Sequence, residues 1–273
     1  MSAAVTYNEK IMEVKGLSKN FGGISAVEGL AFNIRTRQVM GIIGPNGAGK
    51  TTVFNLITGV YKPTKGAIVF RGKDITGYPP DRIVQLGISR TFQNIRLFRN
   101  LTALDNVVIA LDLNNPLYNL AETFFQNWPF IPGKVKAKEK ELREKAMFYL
   151  ELAGIGAQAG KLAGALPYGL QRKLEIARAL ALQPRLLLLD EPAAGMNPEE
   201  SMDLSRLIRV IRIKLDLTVF LIEHHMDLVM DLCDYIYVIN FGRELAKGTP
   251  DEIQANPAVL KAYLGEGRKR VKH

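Results

Sequence analysis

Residues 39–60 read VMGIIGPNGAGKTTVFNLITGV. An apolar run, a glycine-rich loop and a second run with helical spacing follow one another, which predicts a strand, a tight loop and a helix. The loop from Gly44 to Thr51 fits the pattern G-x-x-x-x-G-K-[ST]. The alternative is a tight glycine turn with an exposed lysine, which would fit the same pattern. The flanking strand and helix favour an α/β fold with a phosphate-binding loop.

The chemistry of this loop predicts a nucleotide site. Glycines let the backbone wrap phosphate groups so that successive N–H groups converge on the oxygens. Lys50 would bring a positive charge to the β- and γ-phosphates, and the hydroxyl of Thr51 is suited to Mg²⁺. The residues expected at the phosphates are Gly44, Pro45, Asn46, Gly47, Ala48, Gly49, Lys50, Thr51 and Thr52.

Two carboxylates end a second apolar run, RLLLLDEP at residues 185–192. Because side chains alternate across a strand, we expect Asp190 and Glu191 to point to opposite sides. Asp190 could then reach the shell of a Mg²⁺ ion, while Glu191 faces a water molecule in line with the γ-phosphate. The alternative is that both charges cap the next helix, for which Pro192 would be suited. The phosphate loop favours the first interpretation.

A third apolar run, LTVFLIE at residues 217–223, leads into His224 and His225. A histidine at this edge of a sheet could hold a γ-phosphate by a charge-assisted hydrogen bond. We expect one of the two imidazoles to point away, and the spacing does not decide which.

The rest of the chain predicts a core with an inserted subdomain. Short β-like runs before residue 44 indicate an N-terminal antiparallel layer, and fully apolar runs such as RLLLLD are typical of a parallel sheet covered on both faces. Helical spacing dominates the middle of the chain, where the aromatic-rich stretch NLAETFFQNWPFIPG is expected to pack locally. We expect one domain over residues 1–273, with a core at 1–95 and 167–245, a helical subdomain at 96–166 and a C-terminal extension at 246–273.

Composition limits the partners without choosing among them. The chain of 273 residues carries a formal net charge of +9, which would suit nucleic acid, an anionic membrane surface or phosphorylated ligands. Part of this charge lies in the C-terminal stretch GEGRKRVKH, which we expect to be a solvated tail. Cys233 is the single cysteine, which excludes an internal disulfide, and we expect it to be a small buried residue.

The stretch LPYGLQRKLEIARAL at residues 166–180 predicts a helix that begins near Gly169. Its first turn contains no acidic side chain, although the unpaired N–H groups of a helix N-terminus favour a negative charge. The pattern therefore raises the question of which anion this helix end faces.

Together, GPNGAGKT, PYGLQRKLEIARAL, LLLLDEP, AAGMNP and LIEHH resemble the nucleotide-binding subunit of ABC transporters, in the family's order and at its spacing. The resemblance covers essentially the whole chain. It implies a RecA-like P-loop NTPase core with an N-terminal antiparallel β layer and an inserted helical subdomain. Two ATP molecules, each with Mg²⁺, would be held between two such chains.

The resemblance also implies roles for single residues. Phe21 would stack on adenine, and Gln93 would reach Mg²⁺ and couple to the membrane partner; the alternatives are a core aromatic and a solvated loop amide. Asp190 would lie in the Mg²⁺ shell, Glu191 would activate water and His224 would be the switch histidine.

The helix end at Pro167, Tyr168 and Gly169 would face the γ-phosphate bound by the other chain. Pro167 stands where ABC proteins usually carry serine, and Asn197 and His225 each replace a usual acid. These departures affect the expected strength of the contact between the two chains at the γ-phosphate, and they do not affect the predicted fold.

A narrower set, including RTFQNIRLFRNLTALDNV, DEPAAGMNP, LIEHHMDLVM and NPAVLKAYLGEG, is similar to the LivG-type ATPases of branched-chain amino-acid importers. That resemblance implies a peripheral protein at the cytoplasmic face of the inner membrane. Its partners would be a second, different ATPase chain, two permease subunits and, indirectly, a periplasmic solute-binding protein. Importers of urea, short-chain amides or other amino acids are an alternative. A soluble ABC ATPase acting on nucleic acid fits poorly, since the chain has one cassette and no sustained heptads, and no nucleic-acid partner is expected.

Overall fold

The computed structural model describes residues 9–113 and 132–267 of the chain. Two compact units divide it: residues 1–93 together with 185–273, and residues 94–184. Residues 119–131 of the aromatic-rich stretch and residues 268–273 of the basic tail lie outside the described residues, and so do the expectations attached to them.

The first unit contains two β-sheets. An antiparallel sheet has the strand order β2-β1-β4-β5 and consists of β1 (Lys10–Phe21), β2 (Ile24–Arg35), β4 (Lys65–Phe70) and β5 (Lys73–Asp74). The second sheet has the order β10-β9-β3-β8-β7-β6 and consists of β3 (Val39–Ile43), β6 (Ile88–Arg90), β7 (Leu186–Asp190), β8 (Thr218–Ile222), β9 (Tyr235–Asn240) and β10 (Arg243–Gly248). Its strands are parallel apart from the β9–β10 hairpin. Every residue of β3, β7 and β8 is buried, as their apolar sequences predict.

The helices are α1 (Lys50–Ile57), α2 (Pro80–Gln85), α3 (Ala103–Leu113), α4 (Pro132–Leu152), α5 (Tyr168–Ala181), α6 (Pro198–Lys214), α7 (Met226–Leu232), α8 (Pro250–Gln254) and α9 (Pro257–Gly267). The amphipathic helix α6 lies between β7 and β8 in the chain, as a crossover between parallel strands requires. Among the described residues, no helix is both long enough and apolar enough to cross a bilayer.

Aromatic rings join the two sheets and the first helix. The ring of Phe220 on β8 lies 5.0 Å from Phe54 on α1 and 5.6 Å from Phe32 on β2, measured between centroids. Phe32 also meets Tyr237 on β9 at 5.1 Å. These tilted contacts pack α1 against β8 and β8 against β2, and so help to hold the loop that leads into α1.

The second unit contains α3, α4, α5 and two short 3₁₀ turns, Gly156–Gln158 and Ala163–Ala165. Its end at residue 184 differs from the expected subdomain boundary at residue 166. The difference arises because α5 packs on α3 and α4, whereas the sequence motif alone associates it with the nucleotide core.

Candidate nucleotide-binding site

The glycine-rich loop joins β3 to α1 and has a backbone that favours glycine. Gly44, Gly47 and Gly49 have φ angles of 155°, 77° and 102°. A Cβ atom would lie 2.0 Å from the carbonyl oxygen of Ile239 if added at Gly44, and 2.5 Å from that of Ala26 if added at Gly49. The first and last glycines are therefore needed for close packing within the unit, and Gly47 for its left-handed backbone.

Helix α1 begins without a side-chain cap and has no acidic residue in its first turn. Its first N–H groups therefore keep the capacity to bind an anion. Lys50 is only 7% exposed, and its Nζ donates to the carbonyl oxygens of Gly44 at 2.7 Å and Pro45 at 3.0 Å. A helix N-terminus beside a lysine held by neutral oxygens is a donor set that fits a polyphosphate.

Asp190 ends β7 and is buried, with Arg90 as its partner. The guanidinium of Arg90 donates to Asp190 Oδ2 at 2.6 Å and to Asn55 Oδ1 on α1 at 2.7 Å. Within the described residues, Asp190 Oδ1 accepts no hydrogen bond. A buried carboxylate that is held by one oxygen and keeps the other for a ligand fits the shell of Mg²⁺. The sequence did not predict Arg90, whose only signal is its place two residues before the FQ pair.

Glu191 does not continue the strand, since its φ is 46°. Its N–H donates to the carbonyl oxygen of Ile222 at 2.9 Å, which extends the pairing of β7 with β8 by one bond. Side-chain alternation therefore does not apply to this pair, because β7 ends at Asp190 and Glu191 has a left-handed backbone. Such a conformation costs about 1–3 kcal/mol in a non-glycine residue, so the surrounding structure must hold it.

Gln93 and His224 both approach the carboxylate of Glu191. Gln93 Nε2 donates to Glu191 Oε2 at 2.7 Å, and His224 Nδ1 lies 3.8 Å from the same oxygen. Gln93 is thus exposed but hydrogen-bonded, and His224 is the histidine that faces Glu191. The alternative in which the acids cap the next helix is not observed, because Asn197 caps α6.

His225 faces a different carboxylate, which the sequence analysis missed. Its Nδ1 lies 3.1 Å from Oε2 of Glu223, a side chain with no exposed surface. The only signal for Glu223 was an acid directly after an otherwise apolar strand. Cys233 is buried as expected, and burial raises the pKa of its thiol, with Asp234 and Glu223 acting in the same direction.

Phe21 lies at the end of β1 and is 41% exposed, so the core alternative does not describe it. Its ring meets Tyr61 edge-on at 5.1 Å, and Lys19 Nζ lies 5.0 Å from its centroid. An exposed ring held by a second aromatic is suited to stacking on a planar ligand. Tyr61, four residues after the end of α1 at Ile57, carried no sequence signal.

Helix α5 begins at Tyr168, one residue before the predicted start. Pro167 occupies the N-cap position, no side chain caps the helix and its first turn has no acid. The guanidinium of Arg172 is completely buried, pairs with Glu175 at 2.8 Å and donates to the Tyr168 hydroxyl at 3.2 Å. This contact ties the tyrosine ring back onto its own helix and leaves the backbone at the helix start uncapped.

Two family models match the chain. The model of the ABC transporter family matches residues 27–194, and that of the branched-chain amino acid ATP-binding cassette transporters matches residues 243–269. The first match covers more than half of the chain, which therefore belongs to the ABC transporter family. The predicted RecA-like cassette fold and ATPase class are confirmed.

Individual relatives narrow the similarity. The chain is 48% identical over 256 residues to the high-affinity branched-chain amino acid transport ATP-binding protein BraF of Pseudomonas aeruginosa, covering 94% of this chain and 98% of that protein. It is 43% identical over 259 residues to LivG of Escherichia coli, covering 95% and 99%. The crystal structure of the ADP conformation of the ATP-binding cassette MJ1267 superposes with a TM-score of 0.81 at 32% identity, covering 94% of this chain and all of that one. The resemblance to LivG-type ATPases is confirmed.

Proposed function

We propose that this chain is the ATP-hydrolysing subunit of an importer for branched-chain amino acids. The observation that carries the substrate class is the match at residues 243–269 to the model of branched-chain amino acid cassettes. This segment follows the region matched by the general ABC transporter model, residues 27–194, so it is independent of the features common to ABC ATPases. The similarity to BraF and LivG over nearly the whole chain supports the same substrate class.

The geometry supports a division of labour in ATP binding and hydrolysis. Residues 44–52 bind the phosphates, with Lys50 exchanging its two carbonyl contacts for phosphate oxygens. Glu191 accepts the proton of the attacking water, and His224, which lies beside that carboxylate, donates to the γ-phosphate. Phe21 stacks on the adenine ring.

Mg²⁺ fits the polar groups near the phosphate loop. Thr51, Gln93 and Asp190 would hold the ion, which would supply neutralisation of the phosphate charge. In the chain itself, Arg90 orients Asp190, and Gln93 occupies an oxygen of Glu191. The hydrogen bond from Gln93 must break before this oxygen of Glu191 can accept a proton. Gln93 can therefore couple ATP hydrolysis to a change outside the chain.

The relatives are ATPase subunits of transporters, so membrane permeases are partners of this chain. We infer a complex of two permease subunits with this chain and a second, different ATPase chain, at the cytoplasmic face of the inner membrane. A periplasmic solute-binding protein would deliver the solute. In this complex Pro167, Tyr168 and Gly169 present the uncapped start of α5 to the γ-phosphate held by the second ATPase chain.

The test is transport by the reconstituted complex. The chain is combined with the permeases, companion ATPase and binding protein encoded beside its gene, in proteoliposomes containing ATP. Uptake of radiolabelled leucine, isoleucine and valine is compared with uptake of urea and acetamide. We expect uptake of the three amino acids that requires internal ATP and is lost with Glu191→Gln. Uptake of urea or acetamide without leucine would overturn the substrate class.

A further inference from the structure

Glu223 is a buried carboxylate whose hydrogen bonds join two turns of the site. Its Oε1 accepts the N–H of Ala193 at 2.8 Å. Its Oε2 accepts the backbone N–H groups of His224 at 3.0 Å and His225 at 3.3 Å, and faces the ring Nδ1 of His225 at 3.1 Å. A carboxylate oxygen accepts hydrogen bonds, and this contact is one in the tautomer of His225 that carries the proton on Nδ1.

The same residues could suggest a metal site. Glu223, His224 and His225 present ligand atoms that all lie within 4.8 Å of one another. Three backbone N–H groups and Nδ1 of His225, however, already contact the carboxylate, and a metal would have to displace at least one of them. The cluster is therefore organised by hydrogen bonds around one buried carboxylate, and a metal ion would compete with these bonds.

The two turns held by Glu223 are those that follow β7 and β8. Ala193 comes two residues after Glu191, and His224 comes directly after Glu223 itself. Glu191 and His224 approach each other to 3.8 Å across these turns. One fully buried side chain thus bonds to both segments whose relative position sets this distance.

We infer that Glu223 is a positioning residue for ATP hydrolysis. Its carboxylate holds the turn of the proposed base against the turn of the proposed switch histidine, and it acts through these two turns. The inference rests on the roles proposed for Glu191 and His224. His225, which has no assigned role, then serves to fix the carboxylate through its ring.

Two substitutions of Glu223 distinguish its hydrogen bond to Ala193 from its hydrogen bonds to the turn of His224 and His225. Glutamine in place of Glu223 has one acceptor oxygen and one amide donor, so the NH₂ group must face N–H groups on one side. Aspartate keeps the charge but is shorter by one methylene group. It can still accept the N–H two residues later, as aspartates do in turns, but it cannot reach Ala193.

Asp234→Asn is the matched control. Asp234 also accepts a backbone N–H, that of Val39 at 2.7 Å, and pairs with Arg212 at 3.1 Å. Asp234 directly precedes β9 and bonds to Val39 at the start of β3, whereas the nucleotide loop follows the end of that strand. Its replacement therefore removes a comparable carboxylate contact without touching the turns after β7 and β8.

The experiment measures kcat, KM for ATP and ATP affinity of the full chain assembled with its companion ATPase and permeases. Hydrogen–deuterium exchange is followed in peptides spanning residues 191–196 and 223–228. We expect Glu223→Gln to lower kcat by about 10- to 100-fold, the effect of small displacements of reacting groups, with ATP affinity unchanged. Exchange should rise in both segments with Glu223→Gln but only in residues 191–196 with Glu223→Asp. Asp234→Asn should lower thermal stability alone.

A Glu223→Gln protein whose kcat matches that of Asp234→Asn, at a temperature where both are folded, would overturn the inference. If Glu223→Gln does not fold, Glu223→Asp is the deciding variant. A kcat equal to that of the wild type, or unchanged hydrogen exchange in residues 191–196, would then overturn the inference. Glu191→Gln is measured in parallel. Normal turnover in that variant would remove the proposed base, whereas slow turnover there with normal Glu223→Gln would remove only the positioning role.

Discussion

Helices α6 and α1 begin in opposite ways. Asn197 accepts the N–H of Glu200 at 2.9 Å, and Glu200 accepts the N–H of Asn197 at 3.1 Å, so the side chains of α6 satisfy its own first turn. Helix α1 has neither a side-chain cap nor an acid in its first turn. The difference defines two kinds of helix start. A closed start has its first N–H groups capped by side chains of the same chain, and an open start keeps them for a bound anion.

Helix α5 is also uncapped, but its surroundings differ from those of α1. The start of α1 is preceded by three glycines with positive φ, and Lys50 adds a cation. The start of α5 is preceded by Pro167, which has neither an N–H nor a donor side chain. We therefore expect the α1 end to bind ATP within the chain and the α5 end to act only on nucleotide that another chain already holds.

The largest expected effect separates ATP binding at α1 from hydrolysis at the end of β7. Glu191→Gln should slow ATP hydrolysis by at least about two orders of magnitude, because it removes the general base. Binding of Mg-ATP should persist, since the phosphate loop is unchanged. The measurement is kcat of the assembled complex together with ATP affinity by calorimetry. Near-normal turnover by a homogeneous sample would remove Glu191 from this role.

The next effect tests the α1 end itself. Lys50→Ala should weaken ATP binding by roughly 10- to 150-fold, because a charge-assisted hydrogen bond contributes about 1.5–3 kcal/mol. Lys247→Ala is the control, as Lys247 is an exposed lysine paired with Glu244 on β10 and should leave ATP affinity unchanged. Equal affinity in wild type and Lys50→Ala would contradict the assignment.

A smaller effect tests the α5 end. Pro167→Ser should strengthen ATP-driven pairing with the companion chain, because it restores a hydroxyl donor towards a charged oxygen. The gain should be about tenfold in the ATP concentration for half-maximal association, near the lower end of such bonds, since losing the fixed φ of proline loosens the segment. Association is measured in the Glu191→Gln background.

The control for this third effect is a companion chain whose own phosphate-loop lysine is replaced. With that companion the gain should vanish, because α5 would have no bound phosphate to face. Unchanged or weaker pairing of Pro167→Ser with the normal companion would show that this helix start does not need the hydroxyl.

The smallest effect concerns a closed helix start. Thr249 and Glu252 form a capping box at α8, outside the nucleotide loops. Thr249→Ala should lower the free energy of unfolding by about 0.5–2 kcal/mol, as loss of an N-cap does elsewhere, and should leave ATP affinity unchanged. Chemical denaturation and calorimetry measure the two quantities. If Thr249→Ala lowered ATP affinity without lowering the free energy of unfolding, the distinction between closed and open helix starts would be contradicted.

The sequence predicted the elements that depend on short-range patterns. Apolar runs gave β3, β7 and β8, and the glycine motif gave the loop and α1. The contacts of Arg90 with Asp190 and of Glu223 with Ala193 join residues that are 100 and 30 positions apart, so no local pattern encodes them.

The left-handed backbone of Glu191 was not predicted, for a different reason. Strand alternation applies only while the strand continues, and the pairing with β8 allows one residue beyond Asp190 to take a left-handed φ. The boundary of the helical unit also differed, because packing of α5 on α3 and α4 depends on tertiary contacts that periodicity does not contain.

The most direct test of a site completed by a second chain is the rate of ATP hydrolysis per chain, measured with light scattering to fix the oligomeric state. The isolated chain should hydrolyse ATP slowly, since its phosphate loop lacks an opposing α5 start from a companion. Adding the companion ATPase and the permeases should raise the rate several-fold. A strictly monomeric chain that is already fully active, and gains nothing from the companion, would contradict the shared site.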